Sequence, residues 1–550
     1  MKKQYQTPLI ILALTFFSIL IKGYVFGFAD HGLYLTFVLK IAHPELFPND
    51  IYLMTLNNFP SYFYRSIGLA MKIFDFNIYH LRVMFLLAHI IFRYFFIWAF
   101  YRLAMCLFSD KKTAILSIIL FLGCSKIIGA GESIALPIFG HGEVATPILL
   151  LSAVFFMKER YFLALMLVGF TVNIHPLQSF DFLAMFIFYF LYRYRKIALK
   201  TIFISVGVFF LFALPTLILS IKNPFPLAVK PLWFHIQLLR HPHHMFPFTW
   251  AKLKWLYLIG FLSLYLRALP EEKNEKFVKA KLFMMGLLFL FIIGTGASVI
   301  NQFPFILRLQ LPRVTTVFVL FGIIFITRYL VGILSTDKTD DINKFLVLGM
   351  IFSLFANWIS FFTLFFMCHL IFTLIPVKLP VIKLKKKTLI FAFSVLACLV
   401  FISVGRHAYT IKLKYWDLLK HWREVQVWAN KNTFQDKLFI TPLNLNGFRL
   451  FSQRGIVSDF KSGGNSLFNP EYGYLWWERM KDFGIKEDIS NIDLTDVAKS
   501  VGIIYNNLTE EQVKLIAKKY RAEYFVTASE KKYNFKLLYS NPTFKVYLPL

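Results

Sequence analysis

Between Thr201 and Ser220 there is no charged side chain at all, and comparable apolar runs recur along the first 405 residues. A bilayer core of about 30 Å takes about twenty apolar residues as a helix. Inside it, only helices and closed barrels satisfy their own backbone polar groups. Such runs dictate an α-helical multi-pass membrane protein. The apolar window places spans near 8–28, 80–108, 113–129, 143–157, 161–175, 179–193, 201–220, 251–268, 281–299, 314–332, 343–357, 359–377 and 388–405, about thirteen in all. Composition agrees: 57% of the 550 residues are apolar and 16% charged, against about half and a quarter in soluble domains. A soluble enzyme, a disordered chain and a secreted disulfide scaffold are excluded. The high phenylalanine content is consistent with an AT-rich genome and carries no functional meaning by itself.

The net charge of +30 does not point to nucleic acid, because most Lys and Arg sit in short clusters between apolar runs. Clusters of that kind orient a membrane protein and touch anionic headgroups. Lys2-Lys3, Lys111-Lys112, Lys158 with Arg160, Arg193 to Lys196, Lys273 to Lys281 and Lys383 to Lys387 mark one side as cytoplasmic, with Thr336 to Asp341 the weak connection. The run from Pro8 to Phe28 is long for a secretory signal and lacks a small-x-small cleavage site, so it reads as a retained first span. The N-terminus is then inside and the tail after about residue 406 outside. Cys106, Cys124, Cys368 and Cys398 lie in or beside apolar runs with no CxxC pair, and read as packing residues.

This orientation collects the polar loops 29–79, 130–142, 174–180, 221–250 and 300–313 on the external face, with the tail 406–550. Trp416, Leu419, Trp422, Val425 and Trp428 recur at helical spacing. Lys437 to Thr441, Ala522 to Thr527, Lys536 to Tyr539 and Phe544 to Leu548 read as strands, and Thr509 with Gln512 as a capping box opening the helix Glu510–Tyr520. The tail is expected to be a small α/β domain.

A polar surface shared by one face of a helical bundle is where a site is sought. Asp30, at the membrane edge, fits a general base or a metal ligand, and equally a solvated helix-end acid. Asp50, in Pro48-Asn49-Asp50, is a candidate substrate ligand or an N-cap. His31 and His43 read as interfacial. Glu132, His141 and Glu143 lie beside glycines that allow close backbone approach to a ligand, a pattern also found where membrane helices turn. His175, before Pro176, can orient a substrate or merely cap a helix. Arg240-His241-Pro242-His243-His244 has no specific metal-ligand spacing. Arg308 and Arg313 lie at an external edge against the usual charge bias. Guanidinium groups there bind phosphate through paired donors or snorkel to headgroups.

The chain resembles the GT-C class of integral-membrane glycosyltransferases, through an acid in the first external loop, Asp30, and external arginines near later spans, Arg308 or Arg313. Its layout is most similar to the oligosaccharyltransferase catalytic subunit and C-mannosyltransferase branches. The stretch from Asp30 through Pro44-Glu45-Leu46-Phe47-Pro48-Asn49-Asp50 resembles uncharacterised bacterial members. Trp428 to Thr433 and Arg449 to Arg454 are similar to the start of their external domains. Trp476-Trp477-Glu478-Arg479-Met480 lacks the Tyr-Gly end of the oligosaccharyltransferase acceptor motif, so sequon recognition is not implied. His31 rather than a second acid follows Asp30, which weakens a metal-dependent site but leaves room for a divalent cation.

The resemblance implies a bacterial inner membrane and a polyprenyl-phosphate sugar donor. It implies inverting hexosyl or pentosyl transfer to an unidentified acceptor, with Asp30 catalytic and Asp50, Glu132, His141, Glu143, His175, Arg308 and Arg313 around the substrate. The segment Phe59 to Phe76 is expected along the membrane surface, guiding the prenyl tail. A surface-polysaccharide polymerase or ligase, and a lipid or sugar flippase, are the alternatives.

Overall fold

A computed structural model describes residues 2–123, 129–130, 136–271, 274–300, 302–335, 341–356, 358–374, 416–486 and 496–550. The described residues are mostly helical, with a small sheet in the C-terminal part. Among the described residues four helices are long and apolar enough to cross a membrane: Ile78–Phe108, Leu199–Lys222, Glu275–Ile300 and the continuous stretch Pro304–Ser335. Several expected spans coincide with shorter apolar helices, among them His141–Met157 and Tyr161–Val172. The expected span 388–405 and Glu132 lie outside the described residues.

Close packing explains how the short helices are held. A Cβ at Gly169 would stand 2.4 Å from the Phe209 carbonyl, so this glycine lets Tyr161–Val172 lie directly against Leu199–Lys222. Asn173 then ties the two together: its Oδ1 accepts from the Thr216 amide and hydroxyl, each at 3.0 Å.

The segment 29–79, expected as a loop, is more structured than that. It folds into His31–Ala42, a 3₁₀ turn Ile51–Thr55 and the helix Tyr62–Ile73. That last helix is amphipathic. It turns Tyr64, Gly68 and Met71 inward, with Gly68 close against Ile41, and leaves Leu69, Ile73 and Phe74 exposed.

In the C-terminal domain five strands form one sheet: β1 Leu438–Ile440, β2 Gly455–Ile456, β3 Tyr524–Ala528, β4 Lys536–Ser540 and β5 Phe544–Leu548, in the order β2-β1-β3-β5-β4. β1 runs parallel to β2 and β3, while β5 pairs antiparallel with β3 and β4. Helix 416–432 buries Trp422, Val425 and Ala429 against Phe439, Val526, Phe544 and Val546, so its apolar stripe faces the sheet. The Thr509/Gln512 capping box opens Glu510–Tyr520 as its spacing predicts.

This domain is bolted to the membrane helices by polar contacts. Trp233 Nε1 donates to the Ser466 carbonyl at 3.0 Å and Gln237 Nε2 to the Ser466 hydroxyl at 2.8 Å. Arg308 Nε reaches the Leu467 carbonyl at 3.0 Å. The strongest clamp is ionic. Arg449 forks onto Asp50, Nε to Oδ2 at 2.6 Å and Nη2 to Oδ1 at 3.0 Å, and its Nη1 meets Asp459 at 2.8 Å. All three side chains are buried, and a bidentate pair is the geometry in which a buried charge is best compensated.

Candidate functional site

Where the C-terminal domain meets the helices, a cavity of about 1280 Å³ opens. Asp30 stands at its wall because of the turn before it. Gly27 and Ala29 both have positive φ, 85° and 53°, and only the first is unstrained there. Ala29 is held by Asn446, whose amide donates to its carbonyl at 3.0 Å. His31 closes the turn: the Gly27 amide donates to its Nδ1 at 3.1 Å, so its Nε2 carries the proton toward the Phe139 carbonyl, 2.6 Å away. Burial, outweighing the Phe139 bond and the Asp30 charge, pushes His31 down to about 4, and it is neutral at physiological pH.

Asp30 occupies the N-cap position of His31–Ala42 yet makes no side-chain cap bond. Its carboxylate instead meets the Lys461 ammonium at 2.8 Å, with side-chain exposures of 39% and 32%, so both remain reachable from the cavity they line. Burial alone raises the Asp30 pKa. The charge and hydrogen bond of Lys461, with His141 and His31 adding, more than reverse this and hold it at about 2.

The cavity gathers most of the other candidates. His141 and His175 line it with their rings stacked 4.5 Å apart, and His141 Nδ1 is 3.0 Å from the Tyr64 hydroxyl. His175 also caps its helix, accepting from the Gln178 amide at 3.3 Å. Glu143 lines the wall and is gripped from behind by Arg93 and by His89 Nδ1 at 2.7 Å. Arg308 and Arg313 line it too; Arg308 lies 3.8 Å over the Phe225 ring, and Arg313 Nη1 donates to Gln310 Oε1 at 2.8 Å.

Asp50 does not join them. It lies in the Arg449 clamp and caps the turn Ile51–Thr55 through the Tyr52 amide, the N-cap role its Asn-Asp context also suggests. Two cations had no signal of function in the sequence: Lys461, and Arg240, whose Nη2 donates to the Lys461 carbonyl at 3.1 Å. Burial brings Arg240 down to about 10 despite Asp459, Tyr472 and Asp30, so it stays cationic at neutral pH.

The histidines after Arg240 are occupied by neutral acceptors: His241 Nδ1 is 2.9 Å from Gln237 Oε1 and His244 Nδ1 is 2.8 Å from the Ala130 carbonyl. Among the described residues no group of three His, Cys, Asp or Glu side chains is placed to hold a metal ion.

Ile221, Phe225, Leu227 and Phe305 give the cavity an apolar lining beside Arg308, and Leu227 is fully exposed. The cavity therefore joins an ionised carboxylate, four cationic side chains and an apolar mouth. It suits an amphiphile with an anionic head.

Residues 420–483 match a family model described as a domain of unknown function, DUF6798; this segment contains Asn446, Arg449, Asp459 and Lys461. No curated protein sequence matches the chain. Among solved structures the chain is similar to ArnT from Cupriavidus metallidurans bound to undecaprenyl phosphate, at 10% identity and a TM-score of 0.45, over 98% of this chain and 97% of that one.

Proposed function

We propose that the protein is a GT-C-class membrane glycosyltransferase that moves a sugar from a polyprenyl-phosphate carrier to an acceptor hydroxyl, with inversion, on the external face. The observation that carries this is the union in one cavity of Asp30, the cations Arg240, Arg308, Arg313 and Lys461, and an exposed apolar wall. A polyprenyl phosphate has the matching halves: an anion for the guanidinium groups and an isoprenoid chain for the wall.

The acceptor oxygen attacks the anomeric carbon as its proton passes to the Asp30 carboxylate. The bond from that carbon to the phosphate oxygen breaks on the opposite face, and its electron pair leaves on polyprenyl phosphate. Arg308 and Arg313 stabilise the charge developing there, usually the largest single contribution to such catalysis. Glu143, fixed by Arg93 and His89, and the His141–His175 pair orient the sugar.

The test uses purified protein in nanodiscs with labelled polyprenyl-phosphate sugars, following release of free polyprenyl phosphate. Wild type is expected to release it, and Asp30→Asn to lose at least about 100-fold in rate, the usual share of a general base. Equal release by both removes the base assignment. The buried Arg93–Glu143 pair on a membrane helix is the feature a transporter would use. Passage of the labelled sugar lipid across the bilayer without release of polyprenyl phosphate decides for that reading.

A further inference from the structure

Lys461 is the point at which the C-terminal domain enters the site. Its ammonium pairs with Asp30 at 2.8 Å, and its own carbonyl is held by Arg240. Gly464 keeps the space beside it open: a Cβ there would stand 3.2 Å from Arg240 Nη2 and 3.3 Å from His241 Nε2. The buried Arg240 Nε has no hydrogen-bond partner. A guanidinium with an unused donor and a partly exposed ammonium thus line the cavity together.

We propose that Lys461 is a phosphate ligand of this site, and that its pair with Asp30 is a resting position. The donor's phosphate draws the ammonium off the carboxylate, and Asp30 thereby becomes available to take the acceptor's proton. The inference rests on the polyprenyl-phosphate reading above, and it answers a difficulty in that reading. A general base works best with a pKa near the operating pH, whereas the pair with Lys461 holds Asp30 at about 2.

Facing Asp30 are Lys461 and Arg240, with His31, His141, His244, Tyr34 and Tyr64 around the same wall. Burial favours the protonated form, and Lys461 is the largest contribution opposing it. Moving that ammonium to a phosphate shares its charge with a second anion, so the balance tips upward. A lysine suits the exchange: it is a point charge on a flexible stem with three rotatable donors, unlike the planar fork of Arg449.

Binding of undecaprenyl phosphate to full-length protein in nanodiscs separates the outcomes. Lys461→Met is expected to weaken binding about 10-fold or more, and Lys461→Arg, which keeps the charge, by about 3-fold or less. Asp30→Asn, which removes the competing carboxylate, is expected to tighten it by about 3-fold or more. That last gain is what a merely structural tether would not produce. Melting temperatures of the three variants within a few degrees of wild type show that all are folded, and the Arg and Asn variants keep the test sharp if Lys461→Met unfolds. Wild-type binding with unchanged affinity in Lys461→Met, or weaker binding in Asp30→Asn, overturns the inference and leaves the carrier reading standing. Failure of wild type to bind the lipid overturns the carrier reading, and the inference with it.

Discussion

An aspartate at a helix start ordinarily folds its carboxylate back onto the first free amides. Asp30 leaves those amides alone and faces a cavity instead, so its position is set by partners far along the chain. A carboxyl held low is ionised above its pKa and loses its basic form only as pH falls through that value. With Asp30 at about 2, kcat/KM, which reports free enzyme, should stay flat down to about pH 4. The acid limb of kcat, which reports the donor-bound state, should lie at higher pH; coincident limbs would remove the ammonium exchange. Glu143→Gln should lower turnover by about 10-fold or more while leaving Arg93 buried with a weaker partner; turnover and melting temperature measured together separate orientation from folding. At this scale Asp30, His141, Glu143, His175, Arg308 and Arg313, singled out in the sequence as polar residues of one face, line one cavity, and their roles there belong to the proposal. Lys461 was illegible: in a chain so rich in lysine, its only distinction is the carboxylate it meets after folding.

Two glycines determine how the domain seats on the helix that Asp30 begins. A Cβ at Gly32 would lie 2.7 Å from the Gly447 amide nitrogen, and one at Gly447, where φ is 84°, would lie 2.8 Å from the Gly27 carbonyl. Backbone meets backbone, so neither contact can yield by a rotamer change. Gly32→Ala should therefore push Asn446 and Lys461 away from the Asp30 turn, costing stability and abolishing activity; a thermal melt with the release assay checks both. The ionic clamp gives a second prediction. Arg449→Met strands Asp50 and Asp459 as buried carboxylates and should cost about 3–5 kcal/mol, read as a lowered melting temperature, whereas activity of the surviving folded fraction should change little. Elements marked by local chemistry, such as the Thr509 capping box and the strands β3 to β5, were readable in advance. The two-residue strand β2 and the helix His31–Ala42 were not, because their stability comes from what they pack against.

For the whole molecule, apolar runs were sufficient to establish a helical membrane protein, since no other soluble or secreted class tolerates them. They were weaker on the number of crossings, because glycine-mediated packing such as that at Gly169 holds apolar helices too short to span unaided. The amphiphile reading makes a prediction at this scale. Leu227→Asp, on the exposed apolar wall, should raise KM about 10-fold for a donor with a long isoprenoid chain and leave a short-chain donor nearly unaffected. An equal rise for both would show that the wall does not carry the tail.

Asp30 is held by Lys461, and the Ala29 carbonyl before it by Asn446, residues that leave the ribosome long after the first apolar helices. A nascent chain can therefore have its first apolar helices made and still have no assembled cavity around this carboxylate. If the proposed function holds, a polypeptide arrested before residue 446 would carry this carboxylate without the wall that completes its cavity, and would be inert.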